Sequence, residues 1–504
     1  MFELVSKSQT TLVIIASALV LGACVPQSPA PSSSSALATP ASSPTFTAPP
    51  QRSPIPTAVL TSTSTTIPPI HPTAGGRLPL ITHDLFFVSD NRLMRWEHAT
   101  GQLEVLVAPG VGPDLGGIDL SVFSVSENSR EIALMHRKTI EDYEIALYDM
   151  STHQITSLVS FEYPLYYLIG MSISPNGAWV AYIPPGSLPR TGHGAGLAAL
   201  FPHPTTGGSP FGVIYAVRTD APNNRIEVGF CNEDRKSFRS CMGFLWSPDS
   251  HRIIWSDERG VWLAELGQAA RLLVPHTVGV PPVQGSGTVK LQAWSPLGRY
   301  VLAKVGHSEG WSWGVIDTQT SKVSEVPDTL DYPRPGPQVT WIQDGRLFTI
   351  RPGSMPSRTL PSGEIWRVDS THGLMLSRDA AFSITVGLEN FPIAPTQLAA
   401  GRLAFALLNA GAINNAERGL YFVEVGNLVP HKVNGLPPTG KAAEYANDAD
   451  RFIFNADVIW SPDGAGAIFD DRYRNVLLYV PTNGRPLYDL RPVLGGACCF
   501  TWTK

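Results

Sequence analysis

The sequence predicts an all-β fold, a single β-propeller of four-stranded blades, with eight blades as the favoured count and seven as the alternative. Three observations support this prediction. A short apolar run that ends in Trp and enters a tight turn recurs along the chain. The recurring segments are typically about 40 to 50 residues apart, which is the length of one blade. The last residues of the chain contain only the first half of such a segment.

The repeated segment is clearest in four places, where a second apolar run follows the turn. These copies are GFLWSPDSHRIIW from Gly243, LQAWSPLGRYVLA from Leu291, QVTWIQDGRLFTI from Gln338 and DVIWSPDGAGAIF from Asp457. Weaker copies begin at Met171 and Val122, and residues 402–433 fit a degenerate one. Alternation and a high content of β-branched and aromatic residues favour strands over helices. Without a blade at 402–433, the count would be seven.

The two ends of the repeat region complement each other. Residues 84–107 match the later strands of a blade that lacks its first strand, and residues 497–504 match a first strand that lacks its blade. A ring has to close, because an open end leaves unpaired strand edges and an exposed apolar face. We therefore expect the C-terminal strand to pair with Leu85–Ser89 and Trp502 to be buried against a neighbouring blade. Four earlier tryptophans should occupy the same place in their own blades: Trp246, Trp294, Trp341 and Trp460.

The turn of the repeat carries the pattern Ser-Pro-Asp-Gly, seen most fully in IWSPDGAGAIFDD. With its relatives, this pattern resembles the WD-repeat-like propeller repeats of TolB-type periplasmic proteins, which also occur in the propeller domains of prolyl oligopeptidases. The resemblance covers most of residues 80–504 and implies a fold rather than a function. In such a turn Pro sets φ, Asp bonds the backbone ahead and Gly takes a positive φ. Asp249 and Asp463 are therefore interpreted as turn formers.

The N-terminal region indicates where in the cell the protein is located. Residues 1–23 contain an apolar run too short to span a bilayer comfortably, and they end with Leu21, Gly22 and Ala23 before Cys24. This ending resembles the bacterial lipobox, which implies cleavage before Cys24 and diacylglycerol on its sulfur. The alternative is a general signal peptide followed by a chance Cys. A lipoprotein would lie in the bacterial cell envelope, outside the cytoplasm and anchored to a membrane by its lipid. The sequence does not indicate which membrane carries the anchor.

Residues 24–79 comprise the lipidated Cys and a segment rich in Pro, Ser and Thr. Such a composition buries too little apolar area to offset chain entropy, and its prolines favour extended geometry. We expect a disordered tether that holds the propeller domain, residues 80–504, away from the membrane.

Composition argues against a nucleic-acid partner, and residue spacing argues against a bound metal. Of the 504 residues, 43% are hydrophobic and 16% are charged, the formal net charge is -5, and no run of Lys and Arg occurs. A nucleic-acid-binding protein needs a concentrated basic surface, so no nucleic-acid partner is expected. The histidines and cysteines lack zinc-site spacing, and the acidic residues lack a calcium-loop pattern. We predict neither a metal nor a cofactor.

One pattern hints at catalysis. The segment GHSEG, from Gly306 to Gly310, matches the G-x-S-x-G nucleophile elbow, with Ser308 as the nucleophile. That elbow requires a strand before it and a helix after it, whereas the surrounding residues indicate strand, turn and strand. Ser308 is therefore not expected to act as a nucleophile, and the protein is predicted not to be an enzyme.

Four of the five cysteines remain after Cys24. Cys231 and Cys241 flank a charged loop between the third and fourth blades, and an exported protein can oxidise them to a disulfide. Cys498 and Cys499 are neighbours on the closing strand, where alternation would direct their side chains to opposite faces. A vicinal disulfide, two buried thiols and one long-range bridge are the alternatives for this pair.

Residues 184–211 are the longest departure from the repeat and interrupt the third blade between its second and third strands. Loops on a rigid scaffold often carry binding sites, although an insertion without function is the alternative. The favoured function is a membrane-anchored lipoprotein that presents its propeller as a non-enzymatic scaffold for an unknown protein partner. The alternatives are a small-molecule or glycan receptor that uses the central channel, and a propeller enzyme with an unrecognised site.

Overall fold

Strands make up almost all of the regular structure of the described residues. The computed structural model describes residues 70–72, 78–108, 123–137, 143–161, 170–184, 213–222, 224–231, 243–257, 259–276, 288–307, 310–330, 336–353, 360–384, 390–398, 401–409, 417–437, 456–471 and 475–503. These residues belong to one compact unit, Ile55–Lys504. Their strands form eight sheets, which confirms the predicted all-β propeller. The predicted signal peptide, Cys24 and most of the predicted tether lie outside the described residues.

The first half of the chain supplies blades 1 to 4, after one additional strand, β1 (Ile70–Pro72). Three strands of blade 1 come from this half of the chain: β2 (Leu85–Ser89), β3 (Arg92–Trp96) and β4 (Leu103–Val107). Blade 2 contains β5 (Phe123–Val125), β6 (Glu131–Arg137), β7 (Tyr143–Asp149) and β8 (Gln154–Phe161). Blade 3 contains β9 (Gly170–Ile173), β10 (Trp179–Ile183), β11 (Val213–Arg218) and β12 (Arg225–Phe230). Blade 4 contains β13 (Phe244–Trp246), β14 (Arg252–Asp257), β15 (Gly260–Glu265) and β16 (Arg271–Pro275).

The second half supplies blades 5 to 8 and the closing strand. Blade 5 contains β17 (Val289–Trp294), β18 (Tyr300–Gly306), β19 (Trp311–Asp317) and β20 (Lys322–Glu325). Blade 6 contains β21 (Gln338–Trp341), β22 (Leu347–Arg351), β23 (Ser362–Asp369) and β24 (Met375–Ser383). Blade 7 contains β25 (Asn390–Gln397), β26 (Arg402–Asn409), β27 (Gly419–Glu424) and β28 (Asn427–Gly435). Blade 8 contains β29 (Ala456–Trp460), β30 (Gly466–Asp471), β31 (Val476–Pro481) and β32 (Leu487–Asp489). The helix α1 (Arg491–Leu494) leads into β33 (Cys498–Trp502).

The C-terminal strand closes the ring as predicted. β33 pairs antiparallel with β2, with Leu85 opposite Trp502 and Phe86 opposite Thr501, so blade 1 has the strand order β33-β2-β3-β4. Just beyond this pairing, the amide of Thr503 donates to the carbonyl of Asp84 at 2.9 Å. The blade formed around residues 402–433 also exists, so the count is eight and the alternative of seven is wrong.

The middle strands of the blades are apolar on both faces, because each blade is packed between two others. All four apolar residues of β2 are buried, and so is every residue of β30. Aromatic contacts occur both within and between blades where the ring closes. The rings of Phe87 and Phe500 lie 5.7 Å apart within blade 1, and those of Trp96 in blade 1 and Tyr479 in blade 8 also lie 5.7 Å apart. These side chains belong to one cluster shared by blades 1 and 8.

A repeated indole hydrogen bond links neighbouring blades. In five blades, the Trp that ends the inner strand donates its Nε1–H to a carbonyl on the inner strand of the preceding blade. The bonds run from Trp246 to Ser172, from Trp294 to Leu245, from Trp341 to Ala293, from Trp460 to Ala394 and from Trp502 to Ile459, at 3.1, 3.3, 3.2, 3.1 and 3.1 Å. Trp502 thus occupies the place that the sequence predicts for it, and it is buried.

The outer edge of blade 8 carries a fifth strand. β1 pairs in parallel with β32, and it comes from the segment predicted to be a disordered tether. Leu78, from the same segment, is buried. Regular structure therefore begins before the predicted boundary at residue 80, and β1 covers an edge that would otherwise expose unpaired backbone groups. The remaining residues of 24–77 lie outside the described part of the chain, so the tether stays a prediction there.

Because neighbouring strands of a blade are antiparallel, successive connections alternate between its two ends. The turn face holds the connections from first to second strand and from third to fourth, which are two to six residues long. The loop face holds the connections from second to third strand and from each blade to the next. Longer connections begin and end on the loop face, among them residues 108–122, 184–212 and 436–455. The insertion at 184–211 falls between β10 and β11, as predicted.

Candidate functional site

The loop face of blade 5 contains a cavity of about 380 Å³. Its lining comes from His307 just after β18, Ser312 near the start of β19, Glu325 at the end of β20 and the following residues 326–330. This volume falls within the range of roughly 300 to 1,000 Å³ that is usual for small-ligand pockets. The cavity lies on the outer strands of the blade rather than at the central channel.

Local hydrogen bonds position the residues that line the cavity. The amide of His307 donates to the carbonyl of Gly310 at 2.7 Å and closes the hairpin between β18 and β19. The amide of Val326 donates to the carbonyl of Trp313 at 2.8 Å, and the amide of Trp313 donates to Thr329 Oγ1 at 3.0 Å. Thr329 Oγ1 in turn donates to the carbonyl of Val326 at 2.7 Å. These bonds hold residues 326–330 against β19, so the wall of the cavity is preformed.

The rim of the cavity is connected to blade 6. Asp328 has a positive φ of 53°, and its side chain is 84% exposed. The guanidinium of Arg351 lies 3.4 Å from the Asp328 carboxylate, donates to the carbonyl of Pro327 at 2.7 Å and pairs with Glu364 at 2.6 Å. A left-handed backbone at a non-glycine residue persists only where its surroundings hold it. The Arg351 contacts provide such support and tie the rim to the next blade.

Three polar side chains meet inside the cavity. Ser312 Oγ lies 2.7 Å from His307 Nε2 and 2.7 Å from Glu325 Oε2, and Nε2 lies 3.2 Å from the same carboxylate oxygen. A carboxylate only accepts hydrogen bonds, and a hydroxyl has a single proton. Because Ser312 donates that proton to Glu325, His307 must donate its Nε2–H to complete the contacts.

This arrangement is not a catalytic relay. In a serine triad the imidazole accepts the hydroxyl proton on one nitrogen and donates to a carboxylate from the other. Here the hydroxyl and the carboxylate share one nitrogen of His307, and Ser312 is only 4% exposed. The site instead offers carboxylate acceptors, Glu325 and Asp328, beside the apolar Val326, Pro327 and Leu330. Such a combination suits a ligand that has a hydrogen-bond donor or a cationic group next to an apolar one.

The turn residues singled out in the sequence have structural partners. Asp463 accepts from Ser461 Oγ at 2.9 Å and from the amide of Ala465 at 3.0 Å, and Asp249 accepts from Ser247 Oγ and from the amide of His251. Burial acts to raise the pKa of Asp463, but hydrogen bonds from Ala465, Thr82 and Ser461 outweigh it and lower that pKa. The interpretation of both aspartates as turn formers is confirmed.

The G-x-S-x-G segment has the predicted context. β18 and β19 form an antiparallel hairpin around it, so a strand and not a helix follows the motif. Ser308 itself lies outside the described residues. The sequence did not single out Ser312 or Glu325. The available signal was a Ser between two tryptophans in WSWGVID, a strand whose other polar residue is Asp317.

The other predicted site residues lie wholly or partly outside the part of the chain that the structure describes. Leu21, Gly22, Ala23 and Cys24 lie outside it. Cys231 is buried directly after β12, whereas Cys241 is outside the described residues, so their disulfide stays a prediction.

The expectation for the two C-terminal cysteines is wrong. A β-bulge interrupts the pairing of β33 with β2, with Val88 opposite Cys498, and Cys499 has a positive φ of 62°. A bulge breaks the alternation of side chains along a strand. Instead of pointing to opposite faces, the two side chains approach each other, with 2.8 Å between their sulfur atoms. Both residues are half-buried rather than buried.

Two features are absent from the described residues. These residues contain no group of three or more His, Cys, Asp or Glu side chains placed to hold a metal ion. No helix among them is long and apolar enough to cross a membrane.

Comparisons with known proteins found similarity to solved structures alone. No family model matches the sequence, and no curated protein matches it. A TolB protein from Agrobacterium tumefaciens is similar in structure, with 14% identity, 62% of this chain and 96% of that chain covered, and a TM-score of 0.28. TolB from Acinetobacter baumannii has 14% identity, covers 73% of this chain and 81% of its own, and has a TM-score of 0.30. Dipeptidyl peptidase 4 from Porphyromonas gingivalis has 11% identity, 79% and 56% coverage, and a TM-score of 0.46. This chain thus spans little more than half of that peptidase.

Proposed function

We propose that this protein is a lipid-anchored lipoprotein of the bacterial cell envelope that presents its propeller as a non-enzymatic scaffold and binds a protein partner through the loop face. The observation that carries the proposal is the division of the ring into two unlike faces. The turn face is occupied by short, internally bonded turns, whereas the longer connections converge on the loop face. Variable loops on a rigid frame are the usual location of binding sites.

The surface around the blade 5 cavity supports a protein as the occupant. Leu330 is 40% exposed, and Leu360, on the loop face of blade 6, is also exposed. Arg351 lies between two acidic partners at the same rim. Exposed apolar side chains beside an arginine and a polar rim match the composition of protein interfaces. Substitution by Asp at such positions would add charge where a partner requires an apolar contact.

A charge-insertion experiment tests the binding face. Leu330→Asp or Leu360→Asp should move the detergent-extracted protein from the size of a complex to that of a single chain. Leu297→Asp is the control, because Leu297 is 73% exposed on the turn face. A protein of single-chain size before substitution, or a loss of the complex only in Leu297→Asp, would contradict the proposal.

The anchor is proposed from the lipobox-like residues Leu21, Gly22, Ala23 and Cys24. The protein should incorporate labelled fatty acid and partition into the detergent phase. Cys24→Ser should abolish the label and either release the protein or block its processing. A Cys24→Ser protein that still matures and stays with the membrane would rule the anchor out.

The absence of enzymatic activity is tested at Ser312, the one hydroxyl that contacts both a His and a carboxylate in this cavity. A fluorophosphonate probe, which labels activated serines, should leave the folded protein unmodified. Labelling that disappears in Ser312→Ala would show an activated nucleophile and overturn this part of the proposal.

A small-molecule receptor is the second candidate, and the cavity of about 380 Å³ is the observation that favours it. Its location differs from the central channel that the sequence suggested. Small amines that carry an apolar group should then raise the melting temperature of the protein. Glu325→Gln should reduce that effect, because it removes the charge that an amine would pair with. If no such compound shifts the melting temperature, the receptor role is excluded for this class of ligand.

A further inference from the structure

The closing strand places two thiols together at the loop-face end of the inner strand. In a regular strand, consecutive side chains point to opposite faces, and adjacent Cα atoms lie about 3.8 Å apart, closer than the roughly 4.4 to 6.8 Å usual for bridged cysteines. A regular strand therefore disfavours a bond between neighbours. Here the bulge opposite β2 and the positive φ of Cys499 remove the alternation that would keep the two side chains apart, while the adjacent Cα atoms stay at the usual spacing. The sulfur atoms of Cys498 and Cys499 lie 2.8 Å apart, and both side chains are partly accessible.

We propose that Cys498 and Cys499 form a redox-modification site, a dithiol that small disulfides oxidise to a vicinal disulfide. The thiolate of one cysteine attacks the disulfide RSSR, forms a mixed disulfide and releases one RSH after protonation. The thiolate of the second cysteine then attacks the protein sulfur of that mixed disulfide and expels the second RSH. In total, two protein thiols lose two hydrogen atoms and RSSR is reduced to two RSH. The inference does not depend on the proposed function.

The position of the pair separates it from a structural staple. A bridge between adjacent residues closes almost no loop, so it removes little entropy from the unfolded chain. The predicted Cys231–Cys241 bridge would close a longer loop. Oxidation of Cys498 and Cys499 would instead act locally, on the bulge where the ring closes. The pair is therefore suited to respond to the redox state of its surroundings rather than to stabilise the fold.

Oxidised glutathione and peptide mapping test the proposal on the full chain. Trypsin should release residues 475–504 as one fragment with both cysteines, because Arg485 and Arg491 precede prolines. After exposure of the native protein to oxidised glutathione, this fragment should lack two hydrogen atoms and carry no glutathione. Cys498→Ser and Cys499→Ser should each stop at the mixed disulfide and retain one glutathione. Unreacted thiols, glutathione on both cysteines, or a bridge from this fragment to Cys231 would each overturn the proposal.

A synthetic peptide of residues 475–504 provides the reference for the role of the bulge. In the peptide nothing holds the positive φ at Cys499. The folded protein should form the bridge at a roughly tenfold lower ratio of oxidised to reduced glutathione, a shift of about 30 mV for a two-electron couple. Equal midpoints for protein and peptide would show that the fold does not prepare the pair for oxidation. This comparison stays informative if either serine variant folds poorly.

Discussion

The same strands connect the two faces of the ring, but the two faces carry different kinds of contact. On the turn face, the same contacts recur from blade to blade: Ser and Asp or Asn side chains bond the turn backbone, as at Ser461 and Asp463. On the loop face, the contacts around His307, Ser312 and Glu325 are particular to blade 5. The recognisable motif is therefore a structural device, and the candidate site consists of residues that belong to no repeat.

This difference explains why a strong repeat indicates so little about function. The Trp and the Ser-Pro-Asp-Gly turn contact the neighbouring blade and their own backbone, so their polar groups serve the fold. The contacts at the loop face of blade 5 are not part of the repeat. We therefore expect substitutions to reduce stability more on the turn face than on the loop face.

The largest effect is expected from deleting residues 497–504. The deletion removes β33 and the buried side chains of Phe500 and Trp502, each of which contributes about 1.5 to 3 kcal/mol through burial, and leaves β2 unpaired. The truncated protein should aggregate or become sensitive to protease. Replacement of residues 185–211 on the loop face by a short Gly-Ser linker should leave the melting temperature nearly unchanged. Similar melting temperatures for the truncated and full-length chains would mean that the C-terminus does not close the ring.

The next effect concerns the contact between blades. Trp341→Ala should reduce the free energy of unfolding by about 3 to 5 kcal/mol, because it leaves a cavity in the cluster shared by blades 5 and 6. Trp341→Phe should cost less, since it retains a ring but loses the 3.2 Å hydrogen bond to Ala293. Leu330→Ala on the loop face should change stability little. Denaturant unfolding measures all three, and a Leu330→Ala cost equal to that of Trp341→Ala would remove the distinction between the faces.

A smaller effect separates turn conformation from contact between blades. Gly464 and Gly484 both lie in turns of blade 8, with φ values of 73° and 75°. An added Cβ at Gly464 would collide with Leu398 of the neighbouring blade, whereas nothing lies within 4 Å of a Cβ at Gly484. Both Ala variants incur left-handed strain of about 1 to 2 kcal/mol, and Gly464→Ala should lose a further 1 to 3 kcal/mol or so. Equal losses would show that the turn face is not packed against its neighbours.

The smallest expected effect is on the pH dependence of stability. Burial acts to raise the pKa values of Asp249, Asp344 and Asp463, but turn hydrogen bonds lower them below the ordinary 3.8. A carboxyl whose pKa is lower in the folded state adds stability above its unfolded pKa and loses it as pH falls through the folded value. The free energy of unfolding should therefore fall below about pH 4, and Asp463→Asn should flatten that decline. An undiminished decline in Asp463→Asn would contradict the role of this turn.

Much of the fold could be predicted because the repeat is local. The run ending in Trp, the turn and the following strand lie within a short stretch, so eight blades and the closure through Trp502 could be inferred from the sequence. The bulge at Cys499 could not, since a positive φ at a residue other than Gly depends on how β33 meets β2. The pairing of β1 with β32 was also missed, because three residues in a Pro-, Ser- and Thr-rich segment resemble their unstructured neighbours.

The cavity was missed for a different reason. His307 and Glu325 are separated along the chain and meet only because β18, β19 and β20 lie side by side. Neither residue belongs to a motif with fixed spacing. Sequence periodicity predicts the strands, but it does not predict which polar residues two neighbouring loops bring together.

Photo-crosslinking from blade 5 in intact cells tests whether the loop face is the binding face. A photoactivatable residue replaces Leu330 on the loop face in one strain and Leu297 on the turn face in another. Leu297 is 73% exposed and Leu330 40%, so chance encounters favour the turn face. We expect a discrete adduct from position 330 and none from position 297. A discrete adduct from position 297 alone, or no adduct from either position, would contradict it.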